Sequence, residues 1–327
     1  MRDLDVRSKG FAPLPDGGWL AFRRIGAFEG GMPLLLNRPL GGSMALWGAF
    51  ADELAREHPV LAFDPRGVGE SSALPLGHST RGMARDAVAL LDALRVPRVH
   101  LFGLSLGGMV ASWTAADAPD RVEDLVLAST LPSARTVSHR ILGELGGLAC
   151  AFLHTGGSAE VALVHRVLSP EFRREHPDEV SAIEAAVRAM PTSRTTLVQL
   201  ALAAARHDAT ATLRGLQLRT LLLAGRRDPL VGRTAERELL HDLPHARLEL
   251  LDAGHDLSLE APIETARHVL AFLNEAALDR APARRPDALP GRRRARALLE
   301  PDRAEPPLGL PTTAHAPREF NGAKPRE

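Results

Sequence analysis

Short runs of apolar residues alternate along the chain with stretches whose apolar residues recur at helical spacing. Residues 32–37 (MPLLLN), 59–64 (PVLAFD) and 98–104 (RVHLFGL) are almost continuously apolar, which is typical of strands that are buried on both faces. Residues 43–58 and 79–96 instead place their large apolar side chains on one helical face. Strands that alternate with helices in this way predict an α/β fold, with a mostly parallel central sheet and helices on both of its faces.

The alternation stops after residue 130 and returns near residue 216. The segment between is helix-like, as in AEVALVHRVL and EVSAIEAAVRAM, and contains no clear strand. A helical insertion between two strands of one sheet predicts a cap over the strand ends. Near the C-terminus the chain becomes rich in proline and arginine and loses its apolar periodicity, which predicts a disordered tail. The predicted divisions are core residues 1–130, a cap at 131–215, further core residues 216–278 and a tail at 279–327.

Composition narrows the classes of function. The chain has 327 residues, a formal net charge of zero and no tyrosine, so we expect no nucleic-acid partner. The N-terminus has no apolar signal-peptide core, and no run reaches the roughly 18 apolar residues of a membrane span, so we expect no membrane partner and a cytoplasmic location. The single cysteine, Cys150, lies in an apolar stretch and is predicted to be a buried hydrophobic residue, not a nucleophile.

The stretch VHLFGLSLGGMVASW places a serine among three glycines, between a predicted strand and a predicted helix. On so sharp a turn the central residue has a strained backbone, and its neighbours two positions away must be small. Gly103 and Gly107 meet that requirement around Ser105. Such a turn holds a hydroxyl at a helix N-terminus, where free N–H groups favour negative charge. The pattern G-x-S-x-G alone also arises by chance in about one chain in ten of this length.

A serine nucleophile requires a base and an acid that orients the base, and the sequence contains both in order. Asp228 follows the predicted strand TLLLAG, and His255 follows the predicted strand LELLD. An imidazole can accept the serine proton near neutral pH, and a carboxylate fixes its tautomer. Asp252 and Asp256 flank His255 as rival carboxylates, but a sequence neighbour rarely points at the same imidazole. We therefore predict a catalytic triad of Ser105, Asp228 and His255 at the carboxyl edge of the sheet.

An oxyanion hole requires backbone N–H donors beside the nucleophile. The residue after the serine, Leu106, is the first candidate. The second is expected from the loop RPLGGS after the strand PLLLN, where paired glycines let the backbone turn closely. Leu40 is our candidate there, with Gly41 next, whereas Pro39 has no N–H to donate. A purely structural turn is the alternative for this loop.

These motifs together resemble the α/β-hydrolase superfamily over roughly residues 18–278. LFGLSLGGMVA is similar to the family's nucleophile turn, DPRGVGESS to the turn after its fourth strand, AGRRDP to its acid loop and DAGHDLSLEAP to its histidine loop. The resemblance implies an α/β-hydrolase fold with an inserted helical cap. It also implies that the triad and the oxyanion donors are the residues selected above.

The chain departs from the commoner family pattern at the predicted oxyanion loop. Many members carry His-Gly there, where this chain has Arg38-Pro39. RPLG followed by a tryptophan, and GLSLGGMVA, are similar to the lactonase branch that includes 3-oxoadipate enol-lactonase. The departure leaves the geometry of the loop open at this stage.

The predicted function is a serine hydrolase of the esterase or lactonase type, which cleaves a small-molecule ester or lactone through an acyl-enzyme on Ser105 without a metal or organic cofactor. The alternatives are an acyltransferase or perhydrolase-like enzyme with a non-water acceptor, and a non-catalytic protein that binds a small ligand. Residues 64–72 are glycine-rich but lack the Gly-Lys-Ser/Thr of a phosphate loop. His241 and His245 lack the glutamate of a metalloprotease helix and are predicted to be a surface pair.

Overall fold

One sheet of eight strands organises the computed structural model, which describes residues 7–136 and 159–280. The strands are β1 (Arg7–Pro13), β2 (Trp19–Ile25), β3 (Leu34–Asn37), β4 (Val60–Phe63), β5 (Val99–Leu104), β6 (Val122–Ala128), β7 (Thr220–Gly225) and β8 (Ala246–Leu251). Their order across the sheet is β1-β2-β4-β3-β5-β6-β7-β8. The two pairs that involve β2 are antiparallel, and all the other neighbours are parallel.

The strand β1 is the one element of the sheet that the apolar pattern did not predict. Its sequence RSKGFAP mixes polar and apolar residues, and most of its side chains are at least partly exposed. An edge strand has a single neighbour and keeps contact with solvent, so no apolar run marks it. The other seven strands lie on apolar runs of the sequence: β2 on residues 17–26 (GGWLAFRRIG), β6 on residues 122–130 (VEDLVLAST), and the other five on the runs named above.

The helices are α1 (Gly48–Leu54), α2 (Thr80–Ala93), α3 (Leu106–Asp117), α4 (Ala159–Val167), α5 (Pro170–Glu175), α6 (Pro177–Ala189), α7 (Arg194–Ala205), α8 (Thr210–Leu213), α9 (Arg233–Asp242), α10 (Leu257–Glu260) and α11 (Pro262–Arg280). Short 3-10 turns lie at Met44–Trp47, Pro119–Arg121 and Ala134–Thr136. None of the described helices is long and apolar enough to cross a membrane.

Both faces of the sheet are covered, because successive side chains of a strand point to opposite sides. In β3, Leu34 and Leu36 pack into a cluster with Phe50 of α1 and Val269 of α11. The intervening Leu35 packs into a second cluster that includes α2 and α3. The predicted α/β fold, with helices on both faces of a mostly parallel sheet, is confirmed.

The described residues between β6 and β7 are helical, and we call residues 159–213 the insertion. Ser169 and Ser193 begin two of its helices, and each side-chain oxygen accepts a backbone N–H three residues later. The insertion has an apolar cluster of its own around Phe172, which also contacts Leu259 beside the sheet edge.

The division of the chain into core, cap and tail stays a prediction. Cys150 and residues 281–327 of the predicted tail lie outside the described residues.

Candidate active site

Ser105 lies between the end of β5 and the first residue of α3, in a strained backbone conformation. Its φ is 56° and its ψ is −118°, a region that costs a non-glycine residue on the order of 1–3 kcal/mol. Two contacts hold this conformation: the Ser105 N–H donates to the Ala128 carbonyl at 2.9 Å, and the Thr130 hydroxyl donates to the Ser105 carbonyl at 2.8 Å. Both partners belong to the end of β6 or the residues after it, so the neighbouring strand fixes the turn.

Glycines on both sides of Ser105 allow the backbone to close this turn. A Cβ at Gly103 would overlap the carbonyl of Gly107, and a Cβ at Gly107 would overlap the carbonyl of Asn37 at the end of β3. The second overlap has a further consequence. Because α3 begins against the backbone of β3, the loop that follows β3 lies next to the serine.

The His255 ring connects Ser105 to Asp228. Its Nε2 lies 2.7 Å from Ser105 Oγ, and its Nδ1 lies 2.8 Å from Asp228 Oδ2. A serine hydroxyl that donates to Nε2, and an Nδ1–H that donates to the carboxylate, satisfy both ring nitrogens. Of the two rival carboxylates, Asp252 is 71% exposed and pairs with Arg227, while Asp256 pairs with Arg38. The structure therefore brings together the three side chains that were selected from the sequence.

The Asp228 carboxylate is itself fixed in orientation. Its Oδ1 accepts the backbone N–H groups of Leu230 at 2.7 Å and Val231 at 2.9 Å, which leaves Oδ2 directed at His255. The side chains of Asp228 and His255 are only 2% and 3% exposed. Little water can therefore screen the interaction between them.

Carboxylates around His255 raise its pKa. Burial by itself lowers the pKa of this imidazole, but the charges of Asp228, Asp256 and Glu260 outweigh burial and hold the pKa above its ordinary value of about 6.5. A base whose pKa lies closer to that of the reacting proton accepts it more readily. His255 is thus a stronger base than a free imidazole.

The two candidate oxyanion donors lie beside the serine. Leu40 and Leu106 both line a cavity of about 80 Å³ that also exposes Ser105 and His255. Leu106 is the first residue of α3, where helical N–H groups have no intrahelical acceptor. Within residues 7–136 and 159–280, neither the Leu40 nor the Leu106 N–H donates a hydrogen bond. No described residue therefore occupies either N–H, as an oxyanion donor requires.

Apolar side chains form most of the cavity wall. They come from the core and from the insertion, and include Met109, Leu131, Leu163, Val167, Leu230 and Val231. Arg166 of the insertion is a charged side chain in the same lining. A mainly apolar wall with few polar groups is typical of small-molecule sites.

The histidine loop is held by contacts that the sequence motifs did not reveal. The N–H groups of His255 and Asp256 both donate to the carbonyl of Val167 in α4, at 3.0 and 3.3 Å. Glu260 accepts from the Ser169 N–H at 2.6 Å and from the Gly254 N–H at 2.9 Å. The insertion and the histidine loop are therefore joined through backbone and side chain. Glu260 belongs to the matched motif DAGHDLSLEAP, but nothing in that motif identifies Ser169 as its partner.

The signals that the sequence analysis set aside have other partners in the structure. In the glycine-rich turn, the buried Asp64 carboxylate accepts the N–H groups of Met44 at 2.6 Å and Glu70 at 3.3 Å, so the turn is organised around a carboxylate. His241 contacts Asp242, and His245 contacts Gln217. Among the residues that the structure describes, no group of three or more His, Cys, Asp or Glu side chains could hold a metal ion.

Comparison with known proteins gives the family. Residues 33–262 match the family model described as the alpha/beta hydrolase fold. A protein of Pseudomonas savastanoi whose name is that of the carbamate hydrolase RutD is 33% identical over 244 residues, which cover 74% of this chain and 93% of that protein. The protein named 3-oxoadipate enol-lactonase 2 of Acinetobacter baylyi is 25% identical over 234 residues, which cover 70% of this chain and 84% of its own.

A solved structure extends the similarity to the fold. The crystal structure of a hydrolase from Pseudomonas aeruginosa superimposes with a TM-score of 0.71 at 32% identity, and the match covers 83% of this chain and 99% of that one. The strand order, the strained serine turn and these relatives agree with one another. The chain belongs to the α/β-hydrolase family and is a hydrolase.

Proposed function

We propose that this protein is a serine hydrolase that cleaves a small carboxylic ester or lactone through an acyl-enzyme on Ser105. The observation that carries the proposal is the continuous hydrogen-bonded chain from Ser105 through His255 to Asp228 at the wall of an apolar cavity. A serine hydroxyl is a weak nucleophile at neutral pH, and this arrangement supplies the base that it needs.

In the first half of the proposed reaction, Ser105 Oγ bonds to the acyl carbon while its proton passes to His255 Nε2. The carbonyl oxygen becomes an oxyanion, to which the N–H groups of Leu40 and Leu106 donate. Asp228 stabilises the imidazolium without accepting its proton. The C–O bond to the alcohol then breaks, and the alcohol leaves with the proton from His255. The product that remains is an ester of Ser105.

In the second half, water takes the place of the alcohol. His255 accepts a proton from water as the water oxygen bonds to the acyl carbon, and the same donors hold the second oxyanion. The bond from the acyl carbon to Ser105 Oγ breaks, and the proton returns from His255 to the serine oxygen. The acid is released and the enzyme is regenerated. Every proton in these steps passes to or from His255, and Asp228 only stabilises the imidazolium, so the proposed chemistry uses no metal or organic cofactor.

The cavity and the relatives support an acyl substrate of small size. The cavity of about 80 Å³ is lined mainly by apolar side chains close to Ser105, which suits a small acyl group. The names of the two relatives describe attack on a carbonyl carbon bonded to nitrogen or oxygen. We propose that the acyl part is short, and that the insertion is the cap that encloses it.

A panel of substrates tests this proposal. Hydrolysis of p-nitrophenyl esters from acetate to octanoate, of simple lactones and of a phenyl carbamate is measured for the wild type and for Ser105→Ala. We expect acetate to butyrate to be cleaved with the highest kcat/KM, and Ser105→Ala to lose about 10⁴-fold or more. Undiminished hydrolysis by Ser105→Ala would rule out the assigned nucleophile. Added alcohol or peroxide that diverts the acyl group from water would instead identify an acyltransferase.

A second readout does not depend on the substrate. A fluorophosphonate probe reacts with an activated serine, and its adduct can be located by peptide mass spectrometry. We expect labelling of Ser105 in the wild type. Folded wild-type protein that is not labelled would contradict the proposed nucleophile even if no panel member is a substrate.

A further inference from the structure

Arg38 is a buried arginine at the start of the loop that carries Leu40. Its side chain is 2% exposed and follows the last residue of β3. Its Nη2 donates to Asp256 Oδ2 at 3.1 Å, and its Nη1 donates to the Ser258 hydroxyl at 3.0 Å. The same hydroxyl donates to Asp256 Oδ1 at 2.6 Å. The three side chains hydrogen-bond to one another in the interior, while Arg38 Nε has no partner among the described residues.

This network connects the two loops on which the proposed chemistry depends. Arg38 is two residues before the candidate donor Leu40, and Asp256 is the residue after His255. The two charged residues are 218 positions apart in the chain, so their contact forms only when the two loops meet. A change in the distance between these loops would break or strain the ion pair.

The guanidinium is also enclosed on its other sides. It lies over the Trp47 ring at 4.4 Å from the ring centroid. A Cβ added at Gly42 would be 3.0 Å from Arg38 Nε and 3.1 Å from Nη2. The guanidinium therefore packs against Gly42, near the far end of the loop that begins at Arg38.

Stability alone does not account for such a pair. Removing two charges from water costs about as much as their attraction returns, and apolar residues of similar volume often replace a buried ion pair without loss. What an ion pair with a planar, forked guanidinium adds is a defined geometry. In an oxyanion hole, the geometry that matters most is the position of the backbone N–H donors relative to the histidine base.

We propose that the Arg38–Asp256 pair is a positioning device, which holds the Leu40 donor loop in register with the histidine loop. The inference rests on the proposed function, and it assigns a role to two residues outside the triad. Neither Arg38 nor Asp256 is among the residues that line the cavity, so they act through Leu40 and His255, which do line it. Ser258 supports the pair by bonding to both partners.

The pair also lies within the electrostatic surroundings of the base. The carboxylates that face His255 are Asp228 from the loop after β7, Asp256 from its own loop and Glu260 from α10. Arg166 of the insertion lies in the same cavity wall as His255. Arg38 faces Asp256 and, more distantly, Asp64 at the end of β4. Substituting Asp256 by asparagine removes one of the charges that raise the pKa of His255 and leaves the Arg38 cation in place.

The test compares Arg38→Met with Arg38→Lys and with a matched control, Arg219→Met. Arg219 also bonds to a buried aspartate, Asp124 at 3.1 Å, and lies over an aromatic ring, Phe272 at 4.5 Å. Arg219 directly precedes β7, so it lies at the amino end of the parallel strands, whereas Ser105 lies at their carboxyl end. We expect both methionine variants to lower the Tm. We expect Arg38→Met alone to lower kcat, by about 10- to 100-fold with KM within about threefold, because displaced oxyanion donors act in the transition state.

If Arg38→Met does not fold, Arg38→Lys is the variant whose kcat can still be measured. Arg38→Lys retains the charge but lacks the fork, so we expect its kcat to lie between those of the wild type and Arg38→Met. Asp256→Asn should lower kcat and move the acidic limb of kcat/KM to lower pH. The double variant Arg38→Met/Asp256→Asn should lose no more than the worse single variant, because both single changes break the same contact.

A merely structural role gives a different result. If Arg38→Met and Arg38→Lys keep kcat within about twofold of the wild type while their Tm falls as in Arg219→Met, the positioning role is wrong. The rate at which a fluorophosphonate labels Ser105 gives the same comparison without a substrate, and we expect Arg38→Met to slow it at least tenfold. A wild type that is not labelled would overturn the proposed function and this inference together. A wild type and an Arg38→Met variant labelled at equal rates would overturn the inference alone.

Discussion

Replacement of Asp228 by asparagine exchanges one carboxylate oxygen for an NH2 group, and the structure determines which one. Oδ1 accepts two backbone N–H groups, from Leu230 and Val231. An NH2 group at the position of Oδ1 would face two N–H donors, so the amide oxygen must occupy that position. The NH2 group then faces His255 Nδ1 in place of the carboxylate oxygen that now lies 2.8 Å away.

This orientation places His255 in the wrong tautomer. An amide that donates to Nδ1 requires Nδ1 to accept, so the ring proton moves to Nε2, which faces Ser105. A protonated Nε2 cannot accept the serine proton. The loss expected for this change in a serine triad is about 10⁴-fold in kcat, or about 5.4 kcal/mol of transition-state stabilisation at 1.36 kcal/mol for each factor of ten.

The assay is the steady-state hydrolysis of the best p-nitrophenyl ester, with thermal unfolding as the check on folding. Asp252→Asn is the matched control, because it changes the same residue type in the histidine loop but at a side chain that is 71% exposed. We expect that control to retain kcat within about twofold. A folded Asp228→Asn variant that keeps more than a tenth of the wild-type kcat would refute the tautomer reasoning.

Three further predictions follow from the site and its surroundings. The pKa of His255 is raised, and only its neutral form accepts a proton, so kcat/KM should fall as the pH falls through a value above about 6.5; an acidic limb below pH 6 would contradict this. Gly107→Ala should lower the free energy of unfolding by about 3 kcal/mol or more, because its Cβ meets the backbone of Asn37, whereas Gly215→Ala has room for a Cβ and should cost less than about 1 kcal/mol in thermal or urea unfolding. Burial lowers the pKa of His207 to about 4, so the unfolded state gains a proton first as the pH falls. Relative to His207→Gln, the wild type should lose about 3 kcal/mol of stability between pH 6.5 and 4, and equal pH dependence of the two proteins in urea titrations would count against a neutral buried His207.

The sequence predicts a strand of this molecule where burial on both faces requires apolar side chains at nearly every position. The strands β3, β4, β5 and β7 are apolar at nearly every position because both faces of the sheet are covered, and that pattern is visible locally. The strand β1 lies at an edge and has no such requirement, so its residues resemble those of a loop. The fold class and the central strands therefore follow from local pattern, whereas the edge strand β1 does not.

The same distinction applies within the candidate site. Ser105, Asp228 and His255 could be selected because each follows a recognisable strand, and strands of a parallel sheet end at one edge. Arg38 could not be matched to Asp256 in this way, since their contact depends on how two loops meet across 218 positions of sequence. Contacts of Glu260 with Ser169 join the insertion to the core in a similar manner, and a single sequence carries no sign of them.

The backbone bonds from His255 and Asp256 to the Val167 carbonyl have a consequence for engineering by recombination. In a modular enzyme, a substrate-selecting domain can be exchanged while the reacting groups stay in place. Here the insertion supplies the carbonyl that supports His255, the proposed base, so a chimera with a foreign insertion must also carry a carbonyl at the same point in space. We therefore expect an exchange of the insertion to change selectivity and turnover together, and libraries that shuffle it should be screened for both at once.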